Sequence, residues 1–156
     1  LSVIVRDYRS EDAEALSLLY ARSVGARATA DYSPAQIEVW AGLAPSAARL
    51  EALMADGRRR FVALQAQGPV GFVDLESDGH IHFLYKAPEA EAGVAARLLS
   101  AAEALAVSAK APRLYAEASE PARRFFERHG FVVVERRDFE VEGVAIHNYA
   151  VEKPLP

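Results

Sequence analysis

The stretch that most limits how this chain can fold runs from His80 to Leu105, HIHFLYKAPEAEAGVAARLLSAAEAL. His80 to Tyr85 mixes aromatic and β-branched residues, a mixture suited to a half-buried pleated strand. Pro88 has no N–H to give a ladder and closes that strand. From Gly93 onward Val94, Leu98, Ala101 or Ala102, and Leu105 recur at helical spacing, leaving Arg97 and Glu103 for other faces. The expectation is a strand, a short loop, and a helix that begins at the glycine. The first N–H groups of such a helix have no intrahelical partner and point together beyond the strand end. That arrangement suits an anion, phosphate above all.

The rest of the chain supplies a frame for this unit. Val3 to Val5 reads as a strand, followed by a helix capped by Ser10 and reaching about Val24, with Leu16, Leu19 and Tyr20 as its apolar stripe. Ser33-Pro34-Ala35-Gln36 has the form of a capping box with proline at the first helical position. A further helical stretch starts at Pro45-Ser46 and ends near Asp56-Gly57. Arg60 to Gln65 and Val70 to Glu76 read as strands that form an antiparallel meander with the His80 strand. Beyond the central helix come a strand over Arg113 to Ala118, a helix over Pro121 to His129 stopped by Gly130, and a hairpin turning at Glu142-Gly143. The pattern predicts an α/β fold in one domain across 1–156, with a mixed, mostly antiparallel twisted sheet flanked by helices.

Composition removes several function classes. The net charge is −4 and lysines and arginines form no long stripe, so nucleic acid is not an expected partner. No apolar run has the length to cross a bilayer, and the cytosol is the expected compartment. The absence of cysteine excludes a disulfide framework, a thiolate metal site and any acyl-cysteine route.

Two segments in the right order resemble the GNAT-type acyl-CoA N-acyltransferases, and the resemblance covers nearly the whole chain. Ala90-Glu91-Ala92-Gly93-Val94-Ala95 is similar to the family's Q/R-x-x-G-x-G/A signature, with Ala90 where Gln or Arg is expected. Ala122 to Phe131 looks like the A-x-x-F-Y-x-x-x-G-F helix, with Phe126 at the tyrosine position. The closing Asn148-Tyr149 to Leu155 and the Tyr32-Ser33-Pro34 to Trp40 segment resemble a small bacterial branch. The resemblance implies acetyl-CoA as co-substrate, no metal, and a small-molecule or peptide amine as acceptor. It leaves a homodimer open. It implies cofactor contacts at Leu84, Tyr85, Lys86 and the Ala90, Glu91, Ala92, Gly93, Val94, Ala95, Ala96 run, together with Ser119, Phe125 and Phe126. Glu89 and Glu91 bring negative charge to the same loop, with Lys86 or Arg97 as offsetting cations.

Several side chains qualify for the chemistry. Alternation puts His80 and His82 on one face of the strand, and histidine titrates where an ammonium acceptor must lose its proton. The H-x-H-x-L spacing is similar to that of the arylalkylamine acetyltransferase branch, where such histidines act as base or relay. A structural role and a two-ligand metal site stand beside that reading. Glu117 is the carboxylate best placed to relay a proton through water. Phe126 cannot protonate a departing thiolate, so Tyr149, Tyr115 or water is the expected donor. Tyr20, Tyr32 and Trp40 are candidate walls for the acceptor pocket, or core packing. The expected function is acyl transfer to a primary amine by direct attack in a ternary complex. The alternative is a catalytically weak CoA-binding sensor or interaction module with the same fold.

Overall fold

A computed structural model of the protein describes residues 3–27 and 30–156. The chain begins with strand β1 (Ile4–Asp7), a 3-10 turn (Ser10–Asp12) and helix α1 (Ala13–Gly25). The expected Ser10 cap is not formed. Instead the Asp12 carboxylate accepts the Arg9 N–H at 2.8 Å and two hydrogen bonds from Arg6, while Ser10 Oγ donates to Glu51 at 3.1 Å. A carboxylate that can also pair with a guanidinium displaces the serine hydroxyl from this role. Helix α2 (Pro34–Ala41) carries the expected capping box: Ser33 Oγ accepts from the Gln36 N–H and Gln36 Oε1 accepts from the Ser33 N–H. Helix α3 (Ala47–Leu53) is capped by Ser46 and followed by a 3-10 turn that ends at Gly57.

Strands β2 (Arg59–Gln65), β3 (Gly68–Leu75) and β4 (Ile81–Lys86) form the antiparallel meander, and β1 joins it on the outer edge of β2. Helix α4 (Val94–Ser108) packs Leu98 and Val94 on β3, with the 0–1% exposure of a filled core. Strand β5 (Arg113–Ala118), helix α5 (Glu120–Arg128) and the hairpin of β6 (Val132–Val141) and β7 (Val144–Pro154) complete the chain. The hairpin turn is made by Glu142 and Gly143, both at positive φ. Here the order is β5-β7-β6, so a second antiparallel sheet stands beside the first.

Among the described residues the two sheets are bridged at one place. His80 and Tyr115 form a parallel bridge, and the Tyr115 N–H donates to the Gly79 carbonyl at 3.1 Å. Gly79 has φ +98°, and a Cβ there would sit 2.0 Å from the Arg113 carbonyl oxygen, so only glycine fits. Past this bridge β4 and β5 run side by side without pairing. The opening between them is the feature on which the site is built.

Candidate active site

The gap between β4 and β5 widens into a cleft of about 700 Å³, lined on one wall by His82, Leu84, Tyr85 and Lys86 and on the other by Ala116, Glu117 and Ser119. Ala92, Gly93, Ala95 and Ala96 at the start of α4 close one end, and Phe125, Phe126, Arg128 and His129 of α5 and its end lie across from them. Trp40, Arg27 and Asp31 bring the α1–α2 region to the same cavity. Most cofactor contacts expected from sequence therefore converge on one cleft. Ala90, Glu91 and Val94 do not line it; the Val94 side chain is buried against β3.

The anion end has the character expected of it. Gly93 is the N-cap at φ +90° and has no side chain to cap the helix; the Val94 N–H turns back to the Glu91 carbonyl at 3.3 Å. A helix start of this kind carries about half a positive charge and free N–H groups. Glu89, whose charge opposed an anion in the sequence reading, is drawn into an ion pair with Arg22 on α1. The Glu91 N–H donates to Gln65 Oε1 at 2.8 Å, which pins the loop. Arg97 turns away and donates to the Val3 carbonyl, so Lys86 remains as the lining cation on β4. Leu84, Phe125 and Phe126 give apolar walls, and Ser119 Oγ is occupied in capping α5 through the Ala122 N–H. These residues fit a CoA diphosphate and its pantetheine arm.

His80 and His82 stack with centroids 5.8 Å apart, on the same face as expected, yet they are held in opposite ways. The His80 ring has a carboxylate at each nitrogen: Glu76 at Nδ1, and Glu117 Oε1 2.7 Å from Nε2. Burial works to lower its pKa, but the hydrogen bonds to Glu117 and Glu76 outweigh that and hold it above the ordinary histidine value. Glu117 is depressed in turn, chiefly by its hydrogen bond to His80. His82 Nδ1 lies 2.7 Å from Arg58 Nη1. A guanidinium only donates, so Nδ1 accepts and the proton of the neutral ring sits on Nε2. Burial and the Arg58 charge both push the His82 pKa down.

Arg58 belongs to a buried charge cluster that sequence reasoning missed. Asp74 and Arg60 are 0% and 1% exposed; Arg60 reaches Asp74 at 2.5 and 2.7 Å, and Arg58 reaches the same carboxylate at 2.9 Å. Asp56 clamps the far side of Arg58 at 2.7 Å. Buried charges survive only when paired in this way. The signal available in the sequence was alternation: Arg60 has the inward-facing parity of β2, and Arg58, just before the strand, continues it.

Other candidates lie elsewhere. Tyr20 is buried and packs on Tyr85 and Phe83 of β4, and Tyr32 is buried with its hydroxyl accepting the Glu120 N–H at 2.7 Å. Neither lines the cleft. Trp40 does line the cleft. Tyr149 donates to Glu120 Oε2 at 2.9 Å and is absent from the cleft lining, and Tyr115 is tied to Asp78, which pushes its hydroxyl up to about 12. Neither is placed to protonate a leaving group there. No helix among the described residues is long and apolar enough to cross a membrane.

The comparisons agree with this geometry. Residues 28–153 match the family model for the acetyltransferase (GNAT) domain. A GCN5-related N-acetyltransferase from Rhodopseudomonas palustris, described also as a class-II aminotransferase, is 31% identical over 99% of this chain and 97% of its own, with a TM-score of 0.89. The PaiA N-acetyltransferase of Thermoplasma acidophilum in complex with coenzyme A shares the fold at 18% identity and a TM-score of 0.79, over 99% of this chain and 100% of that one. A phosphinothricin acetyltransferase of Sinorhizobium meliloti in complex with AcCoA does so at 20% identity and 0.75, over 99% and 89%. No curated protein matches the chain. With a helix that starts at Gly93 in the cleft, a splayed pair of strands and a match over most of its length, the chain belongs to the GNAT acetyltransferase family.

Proposed function

We propose that the protein moves an acetyl group from acetyl-CoA to a primary amine, on a small molecule or a peptide in the cytosol, by direct attack in a ternary complex. The observation that carries this reading is the meeting, in one cleft, of the start of α4 at Ala95 and Ala96 and the Glu117 carboxylate. Ala87 donates its N–H to Val70 on β3, so alternation turns the N–H groups of Leu84 and Lys86 to the cleft edge of β4. Those amides are the donors available to a thioester oxygen as it gains charge.

Glu117 receives the ammonium group of the acceptor and His80 stands behind it. With His80 neutral, Nδ1–H held by Glu76, one ammonium proton passes to Glu117 and on to Nε2 of His80, and the lone pair so freed on the nitrogen bonds to the carbonyl carbon. The nitrogen, positively charged once bonded, gives its second proton to solvent, the C–S bond breaks and the thiolate takes a proton from solvent. A depressed carboxylate alone is a poor base, whereas the His80–Glu117 pair stores the proton on a ring whose pKa lies above the ordinary value. His82 offers Nε2–H to the cleft and is a donor, not the base. Phe126 supplies no proton, and a thiolate leaves tolerably near neutral pH without one.

Calorimetry with acetyl-CoA, followed by thiol release across a panel of amines, tests the reading. The chain has no cysteine, so a thiol reagent reports freed CoA alone. Binding with release on at least one amine is the expected result. Binding with no release on any amine turns the reading to the sensor, and no binding removes both.

A further inference from the structure

Arg27 follows the last turn of α1, and its guanidinium carbon lies 4.5 Å from the Trp40 ring centroid and 5.6 Å from that of Tyr32. Both rings attract the cation through their faces. Its Nη1 is buried, yet it has no hydrogen-bond partner among the described residues, and Arg27 makes no ion pair among them. This is unusual within the site. Its neighbour Arg124 is matched to Asp31 at 2.8 and 3.2 Å. Arg58 and Arg60 are likewise fully engaged with Asp56 and Asp74. A buried guanidinium donor without an acceptor is a position that a ligand oxygen would complete. Arg27 and Trp40 line the same cleft as Glu117 and His82.

We infer that the acceptor is a zwitterionic amine of the amino-acid class, with its carboxylate taken by Arg27 and its ammonium group by Glu117. The inference rests on the transferase reading of this cleft and names its substrate. The two ends of an amino acid carry opposite charges, and the cleft presents an unmatched cation and a carboxylate on separate elements. Arg27 presents a planar fork that accepts a carboxylate through two parallel bonds. The unpartnered Nη1 is a donor left for that contact. A simple amine would satisfy Glu117 alone and leave Arg27 as it stands.

Matched pairs of acceptors test this: L-phenylalanine against phenethylamine, and L-alanine against ethylamine, each at saturating acetyl-CoA. The wild-type protein is expected to favour the amino acids by about 10- to 100-fold in kcat/KM, the range of a hydrogen-bonded charge pair. Arg27→Gln should bring each ratio to within about threefold of unity while KM for acetyl-CoA stays in place, and Arg27→Lys should restore part of the preference. Equal or better use of the decarboxylated amines by the wild type overturns the inference. So does an Arg27→Gln variant that loses acetyl-CoA affinity but keeps the preference, since Arg27 would then serve the nucleotide. If no amine is acetylated, calorimetry of the same pairs on the CoA-saturated protein decides separately. Tighter binding of the amino acids that Arg27→Gln abolishes keeps the anchor while the transferase reading falls; no difference within a pair ends both.

Discussion

Arg58 Nη1 approaches His82 Nδ1 to 2.7 Å, and because a guanidinium has no lone pair to offer, the ring must accept. One arginine thus decides which nitrogen of a cleft histidine holds the proton. The same arginine sits on the buried Asp74, so the tautomer is tied to the core of the first sheet.

The first prediction follows directly. In nitrogen-resolved spectra His82 should show an unprotonated Nδ1 and a protonated Nε2 at neutral pH, and it should titrate below the ordinary histidine value. His82→Ala should slow transfer by less than about tenfold, the worth of one hydrogen bond, and leave the pH profile of kcat/KM in position. A profile displaced by this variant would return His82 to the role of base.

The His80–Glu117 pair makes the opposite forecast. Glu117→Gln should lower kcat by about 10²- to 10⁴-fold with acetyl-CoA binding retained, as for a lost acid–base group. In the wild type kcat/KM should climb through a pH above 6.5, because the raised His80 pKa must be passed before the ring can take a proton. Stability should run the other way. A raised folded-state pKa stabilises fully below the unfolded value and is lost as pH rises through the folded one, so the melting difference between wild type and His80→Gln should be greatest near about pH 6 and shrink in alkali.

At Gly93 a Cβ would meet nothing within 4 Å, so substitution there acts through the backbone alone. Alanine at φ +90° costs roughly 1–2 kcal/mol and turns the first amides of α4. Gly93→Ala should weaken acetyl-CoA binding by about tenfold in a calorimetric titration. Unchanged affinity in a destabilised variant would mean that those amides do not hold the diphosphate.

The junction of the sheets should be far less forgiving. Gly79→Ala drives a methyl into the Arg113 carbonyl, at 2.0 Å, and breaks the His80–Tyr115 bridge that joins the two sheets. A loss above about 4 kcal/mol in denaturant unfolding is expected. Gly143→Ala is the control: it also has positive φ but nothing within 4 Å, and should cost only about 1 kcal/mol. Similar losses in the two variants would deny the junction its special status.

Signals confined to a few neighbouring residues were legible. The Ser33–Gln36 capping box, the Glu142–Gly143 turn, the Gly93 helix start and the meander around His80 all appear where spacing alone puts them. The Ser10 cap failed because Asp12, paired with Arg6, takes the Arg9 N–H, while the Ser10 hydroxyl goes to Glu51, 41 residues along the chain. Aromatic residues on the α1–α2 segment could be listed but not sorted: Tyr20 and Tyr32 went inward, Trp40 to the cleft.

By itself, then, the order of residues determined the elements, their ends, and the glycine that opens α4 toward an anion, since these depend on backbone sterics and hydrogen bonds reaching at most four residues along the chain. Which histidine holds a proton more readily was decided only when the chain closed on itself. Glu117 lies 37 residues from His80 and Arg58 lies 24 from His82, and the ionisation of a ring is set by whatever charge arrives within a few ångströms of it.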